Sequence, residues 1–103
     1  MPIFIKTEKF KKTTLELSKT KRKTFLLMHN EWVKKVSQSG HNIYSGYLIN
    51  ENKIPGGGGL MIFEASDYLT AKKMIENDPM IKYKLVIWDL QEWVSVGGSK
   101  PIF

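Results

Sequence analysis

Ile43-Tyr44-Ser45-Gly46-Tyr47-Leu48-Ile49 and Leu60-Met61-Ile62-Phe63-Glu64 are two short runs rich in β-branched and aromatic residues. Between them lies Asn50 to Gly59, polar at first and then holding Pro55 and four consecutive glycines, Gly56–Gly59. Runs of this composition, bounded by turn formers, read as strands. With only a glycine-rich break between them they read as a hairpin, the glycines forming a flexible loop. The elements on either side of this hairpin then set the topology.

On its N-terminal side the pattern is helical. Phe25, Met28, Trp32 and Val36 recur at steps of three and four, with Leu26, His29 and Val33 beside them. Gly40 supplies a stop and Ser18 or Thr20 a possible N-cap, so a helix is expected over about 21–39. Glu8 to Lys23 is charged and weakly periodic, and reads as a loop leading into that helix. Ile3-Phe4-Ile5 reads as a first strand ending near Thr7. On the C-terminal side, Ser66 is expected to cap a helix from Asp67 to Asn77 with Leu69, Met74 and Ile75 inward. Asp78-Pro79 ends it, because the residue before proline disfavours α geometry. A long last strand runs from Leu85 to Trp93, and residues 97–101 form a tail. The order is β-α-β-β-α-β, which predicts an α+β, ferredoxin-like fold: a four-stranded antiparallel sheet with two helices on one face. The 103 residues suit one domain, 1–103.

Such a sheet has a bare face, and its strands are apolar on both. Leu60 and Ile62 oppose Met61 and Phe63, and Ile87 and Trp93 oppose Val86, Trp88 and Leu90. Leaving large side chains in water forgoes about 25 cal/mol per Å². A homodimer through the uncovered sheet face, with Trp88 or Trp93 contributing, is therefore expected.

Composition excludes several classes of function. Cysteine is absent, which removes disulfides, zinc–thiolate sites and thiol catalysis. The two histidines and scattered acids form no metal constellation, and no motif calls for a cofactor. No apolar run approaches the ~18 residues of a membrane span, and the first residues lack a leader pattern, so a cytoplasmic protein is expected. The formal charge is +6, but residues 1–35 hold ten Lys/Arg against Glu8, Glu16 and Glu31. This asymmetry raises nucleic-acid binding as a reading. The third strand lacks the Lys/Arg-Gly-Phe core of RNA-recognition modules, so a solvated basic face is the better one.

His29 lies between Phe25 and Trp32/Val33 on the helix, and so points toward the sheet. It is either a core histidine satisfied by hydrogen bonding or a general acid/base, the role for which imidazole suits neutral pH. Asp78 is either the end of a helix or the carboxylate that orients the ring. Ser45 and Tyr47 share one side of their strand and should line the same cleft, and Arg22 could receive an anionic group with its planar fork.

Taken together, Arg22, His29 with Trp32 and Val33, Gly40, Ser45-Gly46, Gly59-Leu60, Glu64-Ala65, Ala71 and Asp78-Pro79 resemble the YciI-like (YCII-related) family of dimeric α+β barrel proteins. The resemblance spans Arg22 to Trp93. It implies a catalytic pair, His29 and Asp78, with Arg22, Ser45 and Tyr47 around a small anionic ligand in a lyase- or isomerase-type reaction. It implies no cofactor. Tyr47 stands where the family has proline after Ser-Gly, and the basic 9–23 segment is longer than the family's. A non-catalytic dimeric module for small molecules or partner proteins is the alternative.

Overall fold

A computed structural model describes residues 1–99. The chain runs β1 (Ile3–Phe10), α1 (Lys12–Leu15), α2 (Lys19–Gln38), β2 (Ile43–Ile49), β3 (Pro55–Glu64), α3 (Tyr68–Ile75), α4 (Pro79–Lys82) and β4 (Val86–Trp93). The strands form one sheet in the order β2-β3-β1-β4, every neighbour antiparallel. The two principal helices, α2 and α3, pack on one of its faces, giving the expected ferredoxin-like α+β architecture. No helix among the described residues is long and apolar enough to cross a membrane. Part of the expected tail, residues 100 and 101, lies outside the described residues.

The core lies between the helices and the sheet. Phe4, Met61, Phe63 and Leu90 project from the sheet to meet Ala71 and Ile75 of α3, with Trp32 and Val33 of α2 packed alongside. Ser18 caps α2, its Oγ accepting from the Lys21 amide at 3.1 Å. Although α2 has 20 residues, none of them is fully buried. Its sheet-facing side holds Arg22, Phe25, His29, Trp32, Val33 and Val36 half-buried, while Leu26 and Met28 turn outward.

Several elements depart from the sequence reading. The first strand continues to Phe10, three residues beyond the expected end near Thr7. Its inward parity is Phe4, Lys6, Glu8, Phe10, and the two charges there hid the alternation. The glycines are not a loop: Gly56–Gly59 lie within β3, and the turn is Asn50–Ile54, where Asn50 Oδ1 accepts from the Asn52 and Ile54 amides. Gly58 has φ +88°, and a Cβ there would sit 2.3 Å from the Glu8 carbonyl oxygen. Glycine is thus what lets β3 close on β1. Helix α3 is capped by Asp67 rather than Ser66, Asp67 Oδ1 accepting from the Thr70 amide at 2.7 Å. Leu69 is exposed because the buried stripe runs through Ala71 and Ile75, and residue 69 falls on the far side of that phase. Asp78-Pro79 does not only end a helix. It begins α4, with proline at the first helical position, where its missing N–H costs nothing.

The open face carries Ile3, Ile5, Tyr44, Leu60, Ile62, Ile87 and Trp93 together with Thr7, Asp89 and Gln91. Tyr44 and Ile87 are about 70% exposed there, at 71% and 68%. Trp88 is not on this face. It packs against the core on the helix side, so of the two tryptophans expected at a dimer contact only Trp93 is placed for one.

Candidate functional site

Three separate segments bring their side chains together beneath α2. His29 comes from the middle of that helix, Ser45 from β2, and Asp78 from the turn that opens α4. His29 Nδ1 lies 2.8 Å from Asp78 Oδ1, and its Nε2 lies 3.1 Å from Ser45 Oγ. The ring also stands beside Trp32, with centroids 6.2 Å apart. Asp78 is wholly buried, whereas the His29 side chain keeps 12% of its surface in water.

A fourth residue, which no sequence signal marked, completes the arrangement. Lys6 of β1 donates from Nζ to Asp78 Oδ2 at 2.9 Å and also to Glu8 Oε1. Lys6 is 1% exposed, so its ammonium has left water and depends on these two carboxylates. The only trace in the sequence is parity: in Phe4-x-Lys6-x-Glu8-x-Phe10 both charges fall on the side facing the helices. Glycine makes room for the second of them. Gly59 pairs with Glu8 across the strands, and a Cβ on it would meet Glu8 Cγ at 2.9 Å.

Asp78 therefore accepts on both oxygens. Oδ1 takes His29 Nδ1 and the Met80 amide, the latter at 3.0 Å as the N-cap bond of α4, and Oδ2 takes Lys6. Burial is the largest influence on its carboxyl and acts to raise the pKa. The His29 hydrogen bond, the Lys6 charge, the His29 charge and the Lys6 hydrogen bond outweigh it, and the pKa falls below its ordinary value. Asp78 is thus a carboxylate at neutral pH and can only accept. Nδ1 of His29 must then be the donor, which leaves Nε2 of the neutral ring with its lone pair, accepting from the Ser45 hydroxyl. In its neutral form such an imidazole is held in one tautomer, and its Nε2 can take up a proton and return it.

The other two expected site residues are less closely engaged. Tyr47 shares Ser45's side of β2 but is exposed, opposite Gly59. Arg22 lies two turns before His29 on the same side of α2; its Nε is buried and makes no hydrogen bond among the described residues. Two shallow grooves flank α2. One is lined by Trp32, Val36, Met74 and Asn77 among others, and the second by Thr24, Met28, Trp32 and Pro79 among others; neither lining includes His29, Ser45 or Asp78. No group of three or more potential metal-binding side chains occurs among the described residues.

No protein-family model matches the chain, and no curated protein matches it. The architecture does recur among solved structures. The 5-chloro-2-hydroxyhydroquinone dehydrochlorinase of Burkholderia phenoliruptrix AC1100, in complex with 2,5-dihydroxybenzoquinone, is similar with a TM-score of 0.66 over 89% of this chain and 93% of that one, at 18% identity. At that identity the likeness is one of fold. The class it defines is the ferredoxin-like α+β domain.

Proposed function

We propose that this chain is a YciI-like protein that performs acid/base chemistry on a small ring compound, in a lyase- or isomerase-type reaction. His29 is the catalytic base and acid, and Asp78 is its orienting carboxylate. The observation that carries this reading is the Asp78–His29–Ser45 line of hydrogen bonds, which fixes the ring with Nδ1 toward the buried carboxylate and Nε2 toward Ser45. In the reaction Nε2 takes a proton from an O–H or C–H of the substrate. The electrons of that bond form a new π bond; either a leaving group departs with the pair of its bond to carbon, or an existing π bond of the substrate opens and its far carbon takes the proton back. The imidazolium formed meanwhile is held against the Asp78 carboxylate. Ser45 marks where the substrate's polar atom binds, Tyr47 borders it, and Arg22 receives an anionic group. The similar solved structure belongs to a dehydrochlorinase holding a dihydroxyquinone, a ligand of the kind such a site would take. A homodimer formed through the open sheet face belongs to the same proposal.

The rival is a non-catalytic module. It draws on the fact that both ring nitrogens of His29 already have partners within the chain. Titration with 2,5-dihydroxybenzoquinone, followed by NMR, together with an assay of chloride release from chlorinated hydroxyhydroquinones, separates the two. The expected result is perturbation of the His29 and Ser45 signals, with turnover lost in His29→Gln while stability changes by only about 1 kcal/mol. Binding without turnover would decide for the rival. No response at either residue, or full turnover in His29→Gln, would overturn the acid/base reading.

A further inference from the structure

A buried carboxylate orients a histidine only if something orients the carboxylate. Asp78 Oδ1 is fixed by His29 Nδ1 and the Met80 amide, but among the described residues Oδ2 has a single partner, the Lys6 ammonium. Lys6 is in turn kept from swinging away by Glu8, whose side chain lies in the space that Gly59 leaves open. The chain Glu8–Lys6–Asp78–His29–Ser45 thus crosses from the centre of the sheet to the surface.

We propose that Lys6, anchored by Glu8, is a positioning residue of the site: it holds Asp78 so that His29 keeps its proton on Nδ1 and leaves Nε2 unprotonated, accepting from Ser45. This rests on the acid/base reading of His29 and supplies what that reading lacks, a reason for the carboxylate to stay put. Charge balance supports it. One ammonium between two carboxylates leaves a single uncompensated negative charge, and the proton that His29 gains on abstracting from a substrate neutralises it. Arg22 lies two turns away along α2; the phenol of Tyr47 and the carboxylate of Glu92 are on the same face of the sheet and exposed, and Tyr83 packs against Phe25 of α2. The inward residues of β3 and of β4 nearest the site, Met61 and Leu90, carry no charge. A lysine that only filled space would do none of this. Its aliphatic stem would pack equally well as methionine.

The test reads the tautomer directly. Ring-nitrogen NMR of His29 in the full chain, without ligand, should show one neutral form in the wild type, protonated at Nδ1. In Lys6→Met the Nε2–H form should grow about tenfold, as expected when a charge-assisted hydrogen bond no longer orients the carboxylate. Glu8→Gln, which keeps an acceptor for Lys6, should move it the same way by less. A folded Lys6→Met with the wild-type tautomer overturns the proposal. Should Lys6→Met not fold, an unchanged tautomer in Glu8→Gln overturns it. Because no substrate is involved, the result is independent of turnover: a Lys6-dependent tautomer in a protein with no activity would sink the acid/base reading alone.

Discussion

Gly58→Ala is the substitution whose cost the backbone fixes most directly. Two terms contribute. The first is conformational: φ is +88°, and the left-handed region costs a residue with a Cβ about 1–2 kcal/mol, partly offset by about 0.4–1 kcal/mol of lost freedom in the unfolded chain. The second is steric, since the new Cβ would lie 2.3 Å from the Glu8 carbonyl oxygen and 3.1 Å from Lys9 Cγ. Ordinary contact begins at 3.4 Å, so β3 must retreat from β1, and forced repacking of that kind costs about 1–3 kcal/mol. Gly40→Ala isolates the first term, because Gly40 has φ +92° and nothing within 4 Å of its missing Cβ. Gly58→Ala should therefore lose about 1–3 kcal/mol more than Gly40→Ala. For a chain of this size that is a further drop in Tm of about 4–8 °C for each kcal/mol. Thermal and urea unfolding of the two variants side by side measures it. Equal losses at the two positions would refute the claim that close approach of β1 and β3 requires glycine here.

Asp78→Asn should destabilise the fold by about 3 kcal/mol, since it breaks a buried ion pair while keeping the shape, and urea unfolding would show it. The pH dependence has a definite sign. The folded pKa of Asp78 lies below its unfolded value, so its contribution is complete above about pH 4 and is lost as pH falls through the lower folded value. Unfolding midpoints should drop across that acid range in the wild type and drop less in Asp78→Asn. Light scattering after gel filtration should give about twice 11.9 kDa, and Trp93→Lys should shift the mass toward the monomer; a monomeric wild type would end the dimer proposal.

Much of the architecture was legible because its signals are local. Phe25, His29, Trp32, Val33 and Val36 repeat with helical period, and Ser18 caps that helix where a serine precedes a run of helix formers. The hairpin strands were legible for the same reason. What could not be read was set by distant partners. Lys6 and Glu8 look like the start of a solvated basic segment until Asp78, 72 residues later, supplies the counter-charge. The glycines look like a loop because the reason Gly58 and Gly59 must be small is Glu8 on another strand. Leu69 is as apolar as its neighbours, and only the phase of Ala71 and Ile75 against the sheet turns it outward. In the candidate site, His29 and Asp78 could be picked out as a pair, whereas the cation behind them carried no motif.

Asp78 Oδ1 is one atom with two duties, accepting from the first turn of α4 and from the imidazole. Selection for a folded protein and selection for chemistry would therefore fall on the same position, and its persistence through divergence would say nothing about which one kept it. A mutational scan meets the same ambiguity, since loss of function at Asp78 reports a broken cap as readily as a broken site. His29 and Ser45, neither of them fully buried, are the positions at which tolerance for substitution becomes informative.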